Sequence, residues 1–203
     1  MWATAGVILS LAWPTILEQV LQTAVQYIDT AMVGTLGTEA TAAVGATTTI
    51  NWLILGSISA LAIGFLSYVA RACGAEDREM AQKVTTQAVL MTLIVGTLFT
   101  VLTIGCSAKL PIWMRVDPDI QSLASTYFFI LYLPMLPRTA SIIFGTVLRA
   151  AGDTKTPMKI GVWVNVINVT LNFLLIYPTR QLTLLGMTFT MPGAGWGVIG
   201  AAI

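Results

Sequence analysis

The stretch GVILSLAWPTILEQVLQTAVQYIDTAMVGTLG, residues 6–37, is mostly apolar from Gly6 to Val33 and then halts at Gly34-Thr35-Leu36-Gly37. A helix of about 20 predominantly apolar residues crosses a bilayer, and glycines end such a helix and let the chain turn. The first stretch therefore reads as a membrane-crossing helix. A secretory signal would need a basic leader, and the first Lys or Arg of this chain is Arg71. The stretch is expected to stay in the mature protein.

Working outward, the same pattern recurs. Apolar runs bounded by Gly, Pro and charges predict helices over about 6–33, 42–72, 77–108, 118–151 and 157–177, with a sixth beginning at 195–203. Gly74 can close the second helix in a left-handed cap, and Asp77 can open the third with Glu79 in its first turn. Asp117-Pro118 is a cap followed by a first-turn proline, and Thr156-Pro157 repeats that device at the fifth helix. Pro134 and Pro137 should kink the fourth helix, and Pro192-Gly193-Ala194-Gly195 leads into the sixth. The expected fold is an all-α integral membrane bundle of five complete transmembrane helices plus the start of a sixth. Because the sixth stops at Ile203, too short to cross a bilayer, the chain is expected to be a fragment.

Composition supports that class. Of 203 residues, 56% are apolar and 9% charged, against about 25% charged in soluble domains. The mean hydropathy is +0.83. Ten basic and nine acidic residues leave a net charge of +1, no electrostatic footprint for nucleic acid. The absence of histidine removes the usual base and ligand of serine, cysteine and zinc chemistry. Cys73 and Cys106 flank the predicted third helix, well beyond the roughly 7 Å a disulfide allows, and read as free thiols used in packing.

Basic residues near a membrane are retained in the cytoplasm. Arg71, Arg78, Lys83, Arg149, Lys155 and Lys159 fall after helices two and four, against Lys109, Arg115 and Arg180 on the other side, which places the N-terminus inside. One internal echo, Cys73-Gly74-Ala75-Glu76-Asp77 against Ala151-Gly152-Asp153, falls on that same side.

Helix one carries Glu18, Gln22, Gln26 and Asp29. At 100° per residue these four fall within an arc of about 80°. A carboxylate inside a bilayer must face a partner or water, so the stripe lines a cavity or an inter-helix seam. Gln22 and Gln26 fit cavity lining and interhelical hydrogen bonding equally well, and Glu18 is equally open. Asp29 is the sharper candidate, because an acid is a poor and pH-sensitive glue. Helix five repeats the pattern with Asn165, Asn168 and Asn172 within about 60° of arc. Asn168 and Asn172 stack on successive turns and offer two amide oxygens, hard neutral donors suited to Na⁺. Pro14 frees backbone carbonyls and gives helix one a place to bend, either a static kink or a hinge. Arg138 lies deep in an apolar run and must pair with an acid or a carbonyl or reach water, and Tyr127 could turn its hydroxyl toward the helix-one cavity.

Leu11-Ala12-Trp13-Pro14, Asp29-Thr30-Ala31-Met32-Val33-Gly34, Ala42-Ala43-Val44-Gly45, Leu148-Arg149-Ala150-Ala151-Gly152-Asp153-Thr154-Lys155-Thr156-Pro157-Met158, and Asn168 with Asn172 together resemble the multidrug and toxic compound extrusion (MATE) family. The resemblance implies a twelve-helix antiporter of two six-helix lobes, of which this chain is the first. It implies export of amphipathic, often cationic drugs against Na⁺ or H⁺ across the inner (plasma) membrane, with no other cofactor. It further implies that Asp29, Asn168 and Asn172, with Tyr127 nearby, form the first lobe's cation site, and that helix one bends at Pro14. Two departures stand out: several relatives carry an acid where this chain has Asn172, and a helix-six threonine of the site falls beyond Ile203.

Three other readings compete with this one. A flippase for lipid-linked sugars would call for a basic cavity, an intramembrane enzyme for paired acids or a nucleophile dyad, and a non-transporting assembly subunit would tolerate Ala at Asp29, Asn168 and Asn172.

Overall fold

The computed structural model describes residues 2–184 and 187–202. Its helices are α1 (Trp2–Gly34), α2 (Thr38–Gly74), α3 (Arg78–Cys106), α4 (Leu110–Trp113), α5 (Pro118–Tyr132), α6 (Met135–Ala150), α7 (Lys155–Leu175) and α8 (Val198–Ala202). A hairpin of β1 (Pro178–Leu184) and β2 (Met187–Ala194) lies between α7 and α8. Among the described residues α2, α3 and α7 are long and apolar enough to cross a membrane, and α5 with α6, bent by 47° at their break, are so only when taken together. At 33 residues α1 has the length, and its stripe of acids and amides lowers its apolarity. Leu53, Ile63, Ile94, Val101 and Trp163 are each more than 60% exposed, an outward surface that suits hydrocarbon and not water. The chain is a multi-pass helical membrane protein.

The turns are built by aspartates with two jobs. The Asp77 N–H donates to the Ala72 carbonyl, closing α2, while its Oδ1 accepts from the Met80 N–H at 2.9 Å, opening α3. Asp153 does the same, its N–H on Leu148 O and its Oδ1 accepting from Thr156 N–H at 3.0 Å. The echo between these two loops is thus a shared local structure. Two details differ from the sequence expectation. The left-handed residue of the first loop is Glu76 (φ 56°), not Gly74, while Gly152 (φ 90°) holds that place in the second. The cap of α7 is Asp153 rather than Thr156, because the aspartate is already placed by closing α6. Asp117 caps α5 ahead of Pro118 as expected, its Oδ1 accepting from Asp119 N–H.

The helix expected at 118–151 is broken. It stops at Tyr132 and resumes at Met135, with Pro134 in the gap. Pro137 falls in the first turn of α6, where a missing N–H costs nothing, so it does not act as a second kink. Nor does Pro14 interrupt α1, which is helical from Trp2 to Gly34. The hairpin and the one-turn α4 went unread, since neither carries a long apolar period.

The fold divides into two compact units, and several helices contribute a length to each. The first comprises the chain to Val20, Thr49–Gly105 and Tyr132–Val162. Its core gathers Ile54, Ile58, Ala62, Ala88, Tyr132, Met135 and Ile143. The Tyr132 hydroxyl donates to Asn51 Oδ1 at 3.2 Å. Small residues set the approach of its helices: Gly96 of α3 lies against the Leu136 backbone of α6. Buried hydroxyls of Thr92, Thr139 and Thr146 donate to carbonyls one turn back, so these three hydroxyls are satisfied within their own helices.

The second unit comprises Leu21–Thr48, Cys106–Leu131 and the chain from Trp163. Its apolar cluster joins Val33 of α1, Ala40 of α2, Tyr127 of α5 and Val198 and Ala202 of α8. The chain leading to α8 caps the end of α7: the N–H groups of Gly195, Trp196 and Gly197 donate to the carbonyls of Tyr177, Leu175 and Ile176. Gly193 is obligatory here, because any Cβ would sit 2.2 Å from the Tyr177 carbonyl oxygen.

Candidate functional site

Polar side chains of α1 and α7 meet in the second unit. Asn172 is 2% exposed and donates from Nδ2 to Asp29 Oδ1 at 2.8 Å. The same nitrogen lies 3.3 Å from Asn168 Oδ1, one turn earlier on α7. Asp29, Asn168 and Asn172, singled out from two separate stripes, therefore form one cluster. Farther along the same two helices, Thr35 Oγ1 and the Tyr177 hydroxyl lie 3.1 Å apart.

Among the described residues the ion pairs are Glu18–Arg149 and Glu79–Lys83, so Asp29 is answered by an amide and not by a cation. The cluster offers two carboxylate oxygens and two amide oxygens with a single negative charge. Such a donor set fits a monovalent hard cation or a proton. No three His, Cys, Asp or Glu side chains converge among the described residues, so a multivalent metal has no cage of acids to enter.

The other predicted residues fall at varying distances from this chemistry. Asn165 belongs to the same unit and α7 face, and its Nδ2 is buried without a hydrogen-bond partner. Gln22 and Gln26 are exposed. Tyr127 is buried at 7% in the apolar cluster beside Val33, one turn beyond Asp29. Pro14 is buried in the first unit.

Sequence reasoning missed one pair. Glu18, 9% exposed, receives Arg149 Nη2 on both oxygens, at 2.9 and 3.1 Å. In the sequence Arg149 reads as a cytoplasmic-side charge and as part of the 148–158 motif, with no partner assigned. Gly145, a turn earlier on α6, borders the guanidinium: a Cβ added there would stand 3.7 Å from Arg149 Nη2, an ordinary contact.

Comparison with known proteins agrees with this architecture. The probable multidrug resistance protein NorM of Thermotoga maritima is 27% identical over 170 residues, which span 84% of this chain and 37% of that protein. A MOP superfamily transporter from Pyrococcus furiosus, described as having a binding pocket of reversed polarity that suggests a different function, superposes with a TM-score of 0.83 at 28% identity. The match covers 97% of this chain and 40% of that one. A MATE transporter solved in complex with MaD3S gives 0.85 at 28% identity, over 97% of this chain and 41% of its own. The chain thus spans about two fifths of the length of these relatives. With the MatE pattern matching residues 14–174, from the buried proline of α1 past the asparagines of α7, the chain belongs to the MATE family of transporters.

Proposed function

We propose that this chain is the cation-coupled lobe of a secondary antiporter that exports amphipathic, often cationic, drug-like compounds in exchange for Na⁺ or H⁺. The observation that carries the reading is the cluster of Asp29, Asn168 and Asn172: a carboxylate of α1 answered by an amide of α7 and not by a cation, with a second α7 amide one turn away. The drug class follows from the relatives, which include a probable multidrug resistance protein. Their greater length supports a second lobe as the other wall of the path. The excess of Lys and Arg around the α2–α3 and α6–α7 turns supports an inner-membrane protein with its N-terminus in the cytoplasm.

The residues supply the following chemistry. Asp29 takes the cation or proton; Asn168 and Asn172 can turn their amide oxygens toward a bound ion, or keep Asn172 Nδ2 on the bare carboxylate. Loading changes the local charge by one unit in a low-dielectric setting and can bias two helix packings by several kcal/mol. Antiport then needs only that cation and drug prefer opposite packings; contact between them is not required.

The test is ethidium uptake by everted membrane vesicles under an imposed Na⁺ or proton gradient, wild type against Asp29→Asn. Uptake driven by one gradient and lost in the variant establishes antiport and names the ion. Gradient-driven uptake preserved in Asp29→Asn removes this site from the mechanism.

A further inference from the structure

Thr35 and Tyr177 belong to the second unit, as Asp29, Asn168 and Asn172 do, and the mechanism above gives them no task. Thr35 directly follows the last residue of α1, and Tyr177 stands just past the end of α7. Their contact joins α1 to α7 a second time, about 9 Å along the helix from Asp29 at 1.5 Å per residue.

Counting protons gives this contact a direction. A threonine hydroxyl has one proton, and that of Thr35 goes to the Met32 carbonyl at 2.7 Å. In the 3.1 Å contact Thr35 Oγ1 therefore accepts and the Tyr177 hydroxyl donates. The phenol is held for this from two sides. Its ring packs edge-on against Phe173 with centroids 5.9 Å apart, and the Tyr177 carbonyl accepts from the Gly195 N–H at 3.0 Å. Thr35 is fixed in turn, because its hydroxyl and its N–H both donate to the Met32 carbonyl and close the last turn of α1. A tyrosine anchored at the end of α7 thus grips the residue that ends α1.

Apolar faces do little to hold one helix to another in lipid, since hydrocarbon is as good a neighbour. Asp29 lies within the last two turns of α1, and its hydrogen bond to Asn172 is the contact that cation loading exchanges for the ion. The tie at the acid is given up in the very step that needs carboxylate and amide oxygens to stay together. The Thr35–Tyr177 bond uses none of the ion's ligands and persists through that step. We propose that Thr35 and Tyr177 are positioning residues: they keep the end of α1 on α7 while Asp29 exchanges Asn172 for a cation, and so set the affinity of a site they do not touch. This rests on the cluster being the cation site.

The test uses the purified full gene product, following the change in tryptophan fluorescence on titration with Na⁺ and, separately, with acid. Wild type responds to one of them and Asp29→Asn does not; failure of either result sinks the cation-site reading itself. Given both, Tyr177→Phe and Thr35→Val are each expected to weaken half-saturation by about three- to tenfold, the factor that one hydrogen bond supplies. Both substitutions keep the shape of the side chain at a helix end. Thr35→Ser keeps acceptor and donor alike and should titrate as wild type. Because a shared bond is lost only once, Tyr177→Phe/Thr35→Val should be no weaker than Thr35→Val alone. This pattern supports the proposal. Weakening by less than about threefold in either single variant, a Thr35→Ser response as weak as that of Thr35→Val, or single effects that multiply in the double variant overturns it, whatever the melting temperatures do.

Discussion

Glu18 and Asp29 share one face of α1 and both meet α7, yet the protein answers their charges differently. Glu18 is 9% exposed and held by a guanidinium at 2.9 Å. Asp29 is half-buried and held by an amide nitrogen at 2.8 Å. A carboxylate paired with arginine carries its own counter-charge and has no use for another. One held by a single asparagine N–H has its charge left over, which is the condition for the cation uptake proposed above. On one helix, Glu18 is thus neutralised by a cation in the first unit while Asp29 is left to an amide in the second, and the difference lies in the partner.

The largest expected effect breaks this comparison outright. Asp29→Asn should abolish gradient-driven ethidium uptake, while Glu18→Gln should leave uptake gradient-dependent at a reduced rate. The opposite pattern would reverse the two roles. Next comes stability. Arg149→Gln strands the Glu18 carboxylate, at a cost of about 3 to 5 kcal/mol for an unpaired buried charge. Glu18→Gln/Arg149→Gln should recover most of it, as read by unfolding in detergent. Equal losses in the single and double variants would mean that packing, not charge, is what the pair contributes. A smaller loss is expected from Asn172→Leu, which removes the hydrogen-bond donor to Asp29 and leaves its carboxylate less satisfied, about 1 to 3 kcal/mol. A stability equal to wild type would show that Asp29 finds another donor.

Much of this contrast could be read from residue order, and the reason is periodicity. An acid and amides recurring at helical spacing in an apolar run have few places to face, so Asp29, Asn168 and Asn172 were legible before their contact at 2.8 and 3.3 Å was seen. Arg149 was not, because it sits in the last turn of α6, where a basic residue is equally explained by the helix dipole and the membrane surface. Its choice of Glu18 is a tertiary fact, spanning 131 residues of sequence. The break at Pro134 was foreseen as a kink, and only packing around Tyr132 and Leu136 shows it as a full interruption. The hairpin at 178–194 escaped because its backbone pairing, and Gly193 against the Tyr177 carbonyl, leave no hydrophobic period to read.

The smallest effect sharpens the comparison from the side of Glu18. Arg149 and Gly161, the two neighbours of Glu18, sit on helices joined by the turn that Asp153 organises. The Thr156 hydroxyl and backbone N–H hold the Asp153 carboxyl below its usual pKa of 3.8. A carboxylate with a depressed folded-state pKa contributes stability above its unfolded pKa and loses it as the pH falls through the folded value. Asp153→Ala should therefore lower the melting temperature slightly at neutral pH, by less than any variant above, because the group is exposed and its cap is one hydrogen bond among many. The gap between variant and wild type should close as the pH falls through the depressed folded-state pKa, where the wild-type carboxyl is itself protonated. A gap that persists in acid would mean that the protonated side chain still accepts from the Thr156 N–H, so that the hydrogen bond and not the charge supports the α6–α7 turn.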